Sequence, residues 1–298
     1  YDEIMDRFRL ALQEEAARIA GLPEGRLPAV RLIEDGPVRR VVEAIFVCGD
    51  STAIIRYFIP CEGVAVEVSI DLVWNEKNRM LKLSFPLKFD SDSKLLGETA
   101  FGHEELASDG SEQVAQQWAV IHDGSAAFSC INDSTYGLDY SGQSGLRLSL
   151  VRGVAYGSCQ RLPADRYTPR VDIGRNCFRF RITAGELESR LSQITREAQI
   201  FHQTPFALSL TPVGNPKISA PECFIRLSGE GIVLSALKRA EDGRGLIVRL
   251  AETTGNKSET VLTIADLGVA KRLSFSSFEV KTLRVEQGNV EFCSMVED

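Results

Sequence analysis

The stretch CINDSTYGLDYSGQSGLRLSLVRG, residues 130–153, leaves an apolar run, crosses a polar segment of turn formers and ends on a strand of period two. Leu146, Leu148 and Leu150 fall on one face of that last strand, because successive side chains of a strand alternate. The polar centre, Asn132-Asp133-Ser134-Thr135-Tyr136-Gly137, holds residue types that bind sugars, metals or phosphates. The same types turn a chain: Asn and Asp bond their own backbone, and Gly137 can take a left-handed conformation. Local chemistry favours a corner between AAFSCI (126–131) and the strand of Leu146; a working site is the other reading.

The same alternation recurs on both sides of this stretch. VRLIEDGPVRRVVEAIFVC reads as strand, turn, strand, with the turn at Glu34–Pro37, and TAIIRYFIPC continues the meander. In VAVEVSIDLVWN, Val64, Val66, Val68, Ile70 and Leu72 share a face. RMLKLSFPLKF, AQQWAVIHD and NCFRFRIT are further strands, the last with Phe178, Phe180 and Ile182 opposite Arg179 and Arg181. Asp90–Gly110 and residues 158–175 read as polar connections. Near the start, Phe8, Leu12, Ala16 and Ile19 fit a helix, or a strand around Arg7–Leu10 followed by a shorter helix. AGELESRLSQITREAQIF is the clearest helix, with Leu187, Leu191, Ile194, Ala198 and Phe201 as its apolar stripe. PVGNPKISAP (212–221) reads as a linker, and the short strands after it as a small sandwich in which Asp242-Gly243 makes a hairpin turn.

Composition bounds the function. The net charge of −7 comes with interspersed signs, which argues against a nucleic-acid partner. No apolar run reaches the roughly 18 residues of a membrane span. The start, Tyr1-Asp2-Glu3-Ile4, has neither an initiator Met nor a signal segment, and reads as a piece of a longer polypeptide. Seven scattered cysteines, with no zinc-ribbon spacing, read as buried reduced thiols of a cytoplasmic protein. The three histidines, His103, His122 and His202, lie too far apart in sequence to suggest a metal site.

No catalytic motif stands out. GEGIVLSALK lacks the third glycine of a dinucleotide loop and sits between strands. Glu34, Asp35, Asp71, Asp133, Asp139, Glu241 and Glu252 are acid–base candidates by type only, since a glycosidase needs two carboxyls that converge. Trp74, beside Asp71, is a candidate sugar-stacking ring or a core residue.

Several ordered stretches carry more. IEDGPVRRVVEAIF, VSIDLVWNEKNRMLKLSFPL, AFGHEE, INDSTYGLDYSGQSGLRLSLVRG, LSALKRAEDGRGLIVRLAET and FEVKTLRV together resemble the C-terminal β region of glycoside hydrolase family 38 α-mannosidases. The resemblance implies an all-β chain: a large mutarotase-like supersandwich over 1–212, a smaller terminal β-sandwich over 213–298, and one or two helices. It implies a parent enzyme that is retaining and zinc-dependent. The zinc and the nucleophile belong to an N-terminal α/β part, followed by a helical bundle. No cofactor and no catalytic residue are expected on this chain itself. The implied partners are those upstream parts and an α-mannoside substrate; self-association is left open. Asn132, Asp133, Tyr136, Gly137 and Trp74 are the candidates for touching substrate or the catalytic part. Residues 11–29 look like an insertion relative to the family, and Asp172-Ile173-Gly174-Arg175 replaces a segment that ends in Glu. Two other readings stand beside this one: a stand-alone carbohydrate-binding module using Trp74, Trp118, Tyr136 and Tyr140, and a mutarotase-like epimerase using His103 with Glu104 and Glu105.

Overall fold

A computed structural model describes residues 8–22, 24–89, 92–155, 169–203, 206, 208 and 223–297. The chain packs as two units, one of residues 1–95 and 106–185, the other of 96–105 and 186–298. The strands of the first part of the chain are β1 (Arg9–Leu10), β2 (Val30–Asp35), β3 (Arg39–Cys48), β4 (Ser51–Pro60), β5 (Val66–Trp74), β6 (Met80–Phe85), β7 (Lys94–Thr99) and β8 (Gly102–Leu106). They continue as β9 (Gln113–Val114), β10 (Trp118–His122), β11 (Ala126–Asn132), β12 (Gly137–Ser141), β13 (Gly145–Arg152) and β14 (Gly174–Glu186), and one helix, α1 (Gln13–Ile19), follows β1.

In the first unit a large sheet runs β1-β3-β4-β5-β14-β11-β10, with β2 also paired to β3. A second sheet runs β6-β13-β12-β9. Period two explains the layer between them. Val68, Ile70, Leu72, Trp74, Phe178 and Phe180 meet Leu138, Tyr140, Leu146 and Leu148 in one apolar core. The opposite face of the large sheet is partly covered by the segment read as an insertion. Ala11, Ala16, Ile19, Leu27 and Ala29 pack on Ile45, Val47 and Ile54. Glu15 fixes the start of α1: its carboxylate accepts the Leu12 amide and a bidentate pair from Arg9. Arg9, then that amide, hold the Glu15 carboxyl down to about 2. The strand-then-helix reading of this segment is the one observed.

In the second unit α2 (Leu187–His202) is followed by β15 (Arg226–Leu227), β16 (Ile232–Arg239), β17 (Leu246–Glu252), β18 (Ser258–Ile264), β19 (Val269–Phe275), β20 (Val280–Glu286) and β21 (Asn289–Cys293). The sheets β16-β17-β20-β21 and β15-β18-β19 bury Val248, Leu250, Leu262, Ile264 and Leu283 between them. The expected Asp242-Gly243 turn joins β16 to β17, with Gly243 at φ +78°. In α2, Ile194, Ala198 and Phe201 are buried as expected, while Leu187 and Leu191 are half-buried. Arg190 is buried too, because Glu197 grips its guanidinium at 3.1 and 2.7 Å.

Three expectations need correction. Asp90–Gly110 contains a hairpin, β7 and β8, turned by Phe101 at φ +63° without the usual Asn or Asp signal, and Leu95 and Leu96 are buried. Residues 137–141 form a strand, β12, where a corner leading directly to Leu146 was expected. The cysteines are mostly not core thiols. Cys61, Cys177 and Cys223 are exposed, Cys48 and Cys293 intermediate, and only Cys130 of the described six is buried, where desolvation pushes its thiol up to about 12. The helix α2 packs with the second unit. The proposed boundary at 212/213, the linker 212–221, Cys159 and residues 156–168 of the long connection lie outside the described residues.

Candidate functional site

The segment Asn132–Gly137 is a crossover between sheets. Its incoming strand, β11, belongs to the large sheet, and its outgoing strand, β12, to the four-stranded one. A chain that changes layers must satisfy its backbone without a ladder, and the side chains here do that. Asn132 is buried; its amide donates to Gln116 O at 3.1 Å and accepts from the Thr135 amide at 2.8 Å. Asp133 reaches β14: its Oδ1 accepts the Arg179 amide at 3.0 Å and its Oδ2 accepts Arg179 Nε at 3.3 Å. The Asp133 amide in turn donates to Arg179 O at 3.2 Å.

Gly137 corrects the expected reason for its presence. It is not among the left-handed glycines. A Cβ there would lie 2.8 Å from Glu112 Oε1, the end of a flexible side chain, and 3.4 Å from Ser149 Cβ. Glu112 bonds Lys82 and Ser149 over this gap, and Lys82 also reaches Asp139. Asp139 is buried on this outer face and accepts Arg147 Nε at 2.6 Å.

Of the four candidate aromatics, Trp74, Trp118 and Tyr140 are buried, and Tyr136 is 55% exposed. Trp74 is a correction: it continues the inward series Val66, Val68, Ile70, Leu72 and fills the core, so its ring offers no stacking face. Tyr140 donates or accepts at Ser93 Oγ, 2.6 Å away. The backbone of Tyr136 is held by its carbonyl, which accepts the Ala115 amide at 3.1 Å.

The candidate carboxylates are each engaged. Glu34 pairs with Arg39, Asp35 with Arg40, Asp71 with Arg175, Asp133 with Arg179, Asp139 with Arg147, and Glu241 with Lys238. The Arg175 guanidinium holds the Asp71 carboxyl below its ordinary range. Arg175 thus uses locally the charge that departs from the family pattern. Glu252 is buried and accepts the amides of Thr254, Gly255 and Phe278 at 2.7, 3.0 and 2.9 Å. His103 Nδ1 lies 3.2 Å from Thr253 O, and its ring meets Phe278 edge-on. That is a packing arrangement within the second unit.

Among the described residues, no group of three or more His, Cys, Asp or Glu is placed to hold a metal ion, and no helix is long and apolar enough to cross a membrane. A cavity of about 730 Å³ lies beside α1, lined by Arg9, Glu15, Arg18, Val47, Asp50 and Glu76 among others. None of the five sequence candidates lines it. The residues that sequence reasoning missed are Lys82, Glu112 and Arg147. They gather around Gly137 and Asp139 only once four strands, β6, β13, β12 and β9, are paired, so no local signal announces them.

The fold is thus that of an all-β chain with a large and a small sandwich. A family model described as the glycosyl hydrolases family 38 C-terminal domain matches residues 5–163, and one described as the C-terminal beta sandwich domain of that family matches 231–287. The chain belongs to glycosyl hydrolase family 38, as its C-terminal β region. Alpha-mannosidase G of Dictyostelium discoideum is 24% identical over 259 residues, covering 78% of this chain and 22% of its own. A family 38 protein from Enterococcus faecalis shares the fold at TM-score 0.75 and 13% identity, over 86% of this chain and 36% of its own. An alpha-mannosidase from Enterococcus faecalis V583 gives TM-score 0.72 and 13% identity, over 86% and 35%. The chain therefore spans about a fifth to a third of the length of these relatives.

Proposed function

We propose that this chain is the C-terminal β region of a retaining, zinc-dependent α-mannosidase. It scaffolds an N-terminal catalytic part, and its Asn132–Gly137 crossover presents Tyr136 to the mannoside pocket. The carrying observation is the contrast inside the crossover. Asn132 and Asp133 are pinned by the fold, and Tyr136 is left with its ring in the open. A pinned backbone holding out an aromatic ring is a preorganised contact, and aromatic faces suit the apolar face of a sugar. Zinc, in this reading, is held by residues outside this chain.

Two outcomes test the proposal. In the intact gene product, Tyr136→Ala lowers kcat/KM for an aryl α-mannoside by about 10- to 100-fold, as expected for a lost stacking contact, with an unchanged melting temperature. Tyr136→Phe keeps most of the activity. Full activity of the alanine variant removes Tyr136 from the pocket. The chain by itself shows no turnover of that substrate, with or without added zinc; measurable hydrolysis would place the chemistry here.

A further inference from the structure

The inner face of the large sheet is wider than the sheet that covers it. The pairing registers define three rows of side chains across its strands. The first is Leu10, Phe46, Ala53, Leu72; the second is Val30, Ala44, Ile55, Ile70; the third is Leu32, Val42, Tyr57, Val68. Every position is apolar or aromatic. Directly paired residues of antiparallel strands share a face, so each row lies wholly on the inner side. Each row runs from a buried residue at the core to a half-exposed one at the edge, with Ala44 of the second row still buried. Leu72, Ile70 and Val68 are buried, the middle positions are mostly half-buried, and the edge residues Leu10, Val30 and Leu32 are 47%, 49% and 53% exposed.

The other face of the same strands is covered at one end by the 11–29 segment and charged beyond it. There Glu43 is buried between Arg31 at 2.6 Å and Arg56 at 2.8 Å. Charged rows of this kind are what a sheet shows to water, whereas the apolar shelf on the inner side is what a sheet shows to a packing partner.

We propose that this shelf is the docking surface for the remainder of the same polypeptide, upstream of this region. The inference rests on the reading of the chain as one part of a longer family 38 enzyme. Two observations select that occupant over a second copy. The matched region is by description the C-terminal domain of its family, in relatives about three to five times longer than the stretch matched, so the rest of such a polypeptide precedes it. β1 is the first described strand of the family-matched region 5–163, and its Leu10 forms the shelf's border.

Hydroxyl-radical footprinting of the intact gene product tests this. Val114, 70% exposed, and Val296, 73% exposed, lie on none of the shelf's strands and serve as references. From this chain alone, Leu10, Val30 and Leu32 would label within about twofold of them. Docking into a dry interface core lowers labelling of all three by about fivefold or more, independent of protein concentration. Labelling less than about threefold below the references overturns the proposal. So does protection that rises with concentration alongside sedimentation as a dimer, which would assign the shelf to a second copy. A protected shelf in a product without α-mannosidase turnover leaves the docking intact and removes the proposed activity. Turnover with a freely labelled shelf does the reverse.

Discussion

Glu252→Ala is expected to destabilise the chain by about 3–5 kcal/mol. Glu252 is fully buried at the end of β17. Its two carboxylate oxygens gather the amides of Thr254 and Gly255 from its own turn and that of Phe278 from the loop before β20. The Thr254 hydroxyl is bonded there as well. Removing the carboxylate leaves three backbone donors facing a site shaped for an acceptor. Phe278 is itself held at φ +55°, with its ring where a Cβ on Gly102 or Gly255 would stand, so its loop has little freedom to find other partners. Urea denaturation measures the loss. Glu252→Gln, which keeps one acceptor oxygen, falls between wild type and the alanine variant. A loss below about 1 kcal/mol for alanine would show that water replaces the carboxylate at no cost.

Asn132→Ala is expected to cost about 2–4 kcal/mol of stability in this chain. The side chain is buried and does two jobs at once: it donates to Gln116 O and accepts the Thr135 amide. Its loss leaves that amide without its acceptor in the middle of a layer change. The family resemblance leads to the expectation that Asn132 and Asp133 matter more for activity or domain docking than for folding. The geometry reverses that order for Asn132. Urea denaturation of Asn132→Ala decides it, and a loss below about 0.5 kcal/mol would return the residue to the role of a surface contact.

Much of the fold was legible because alternation is local. β4, β5, β13 and β14 follow from period two, and Ile194, Ala198 and Phe201 of α2 from helical spacing. What escaped was non-local. In β7 and β8, Gly97, Glu98, His103 and Glu104 break the expected apolar pattern, and the pairing of the two strands compensates. In β12, Asp139 reads as exposed and is buried, because Lys82 and Arg147 come to it from β6 and β13. For the candidate site, the composition of Asn132–Gly137 announced a turn. Which layers the turn joins depends on sheet order, and that is not written in six residues. Of the named candidates, Tyr136 keeps an open ring, while Trp74 could have been placed in the core from its register with Leu72.

The β7–β8 hairpin has one further consequence. Residues 96–105 are encoded in the midst of the first unit and fold as part of the second. His103 and Gly102 leave the ribosome long before Phe278, against which they pack, has been translated. During synthesis the His103 ring waits for that of Phe278. In evolution, no single cut in the gene releases the second unit whole, so the two units travel together through any recombination that preserves both.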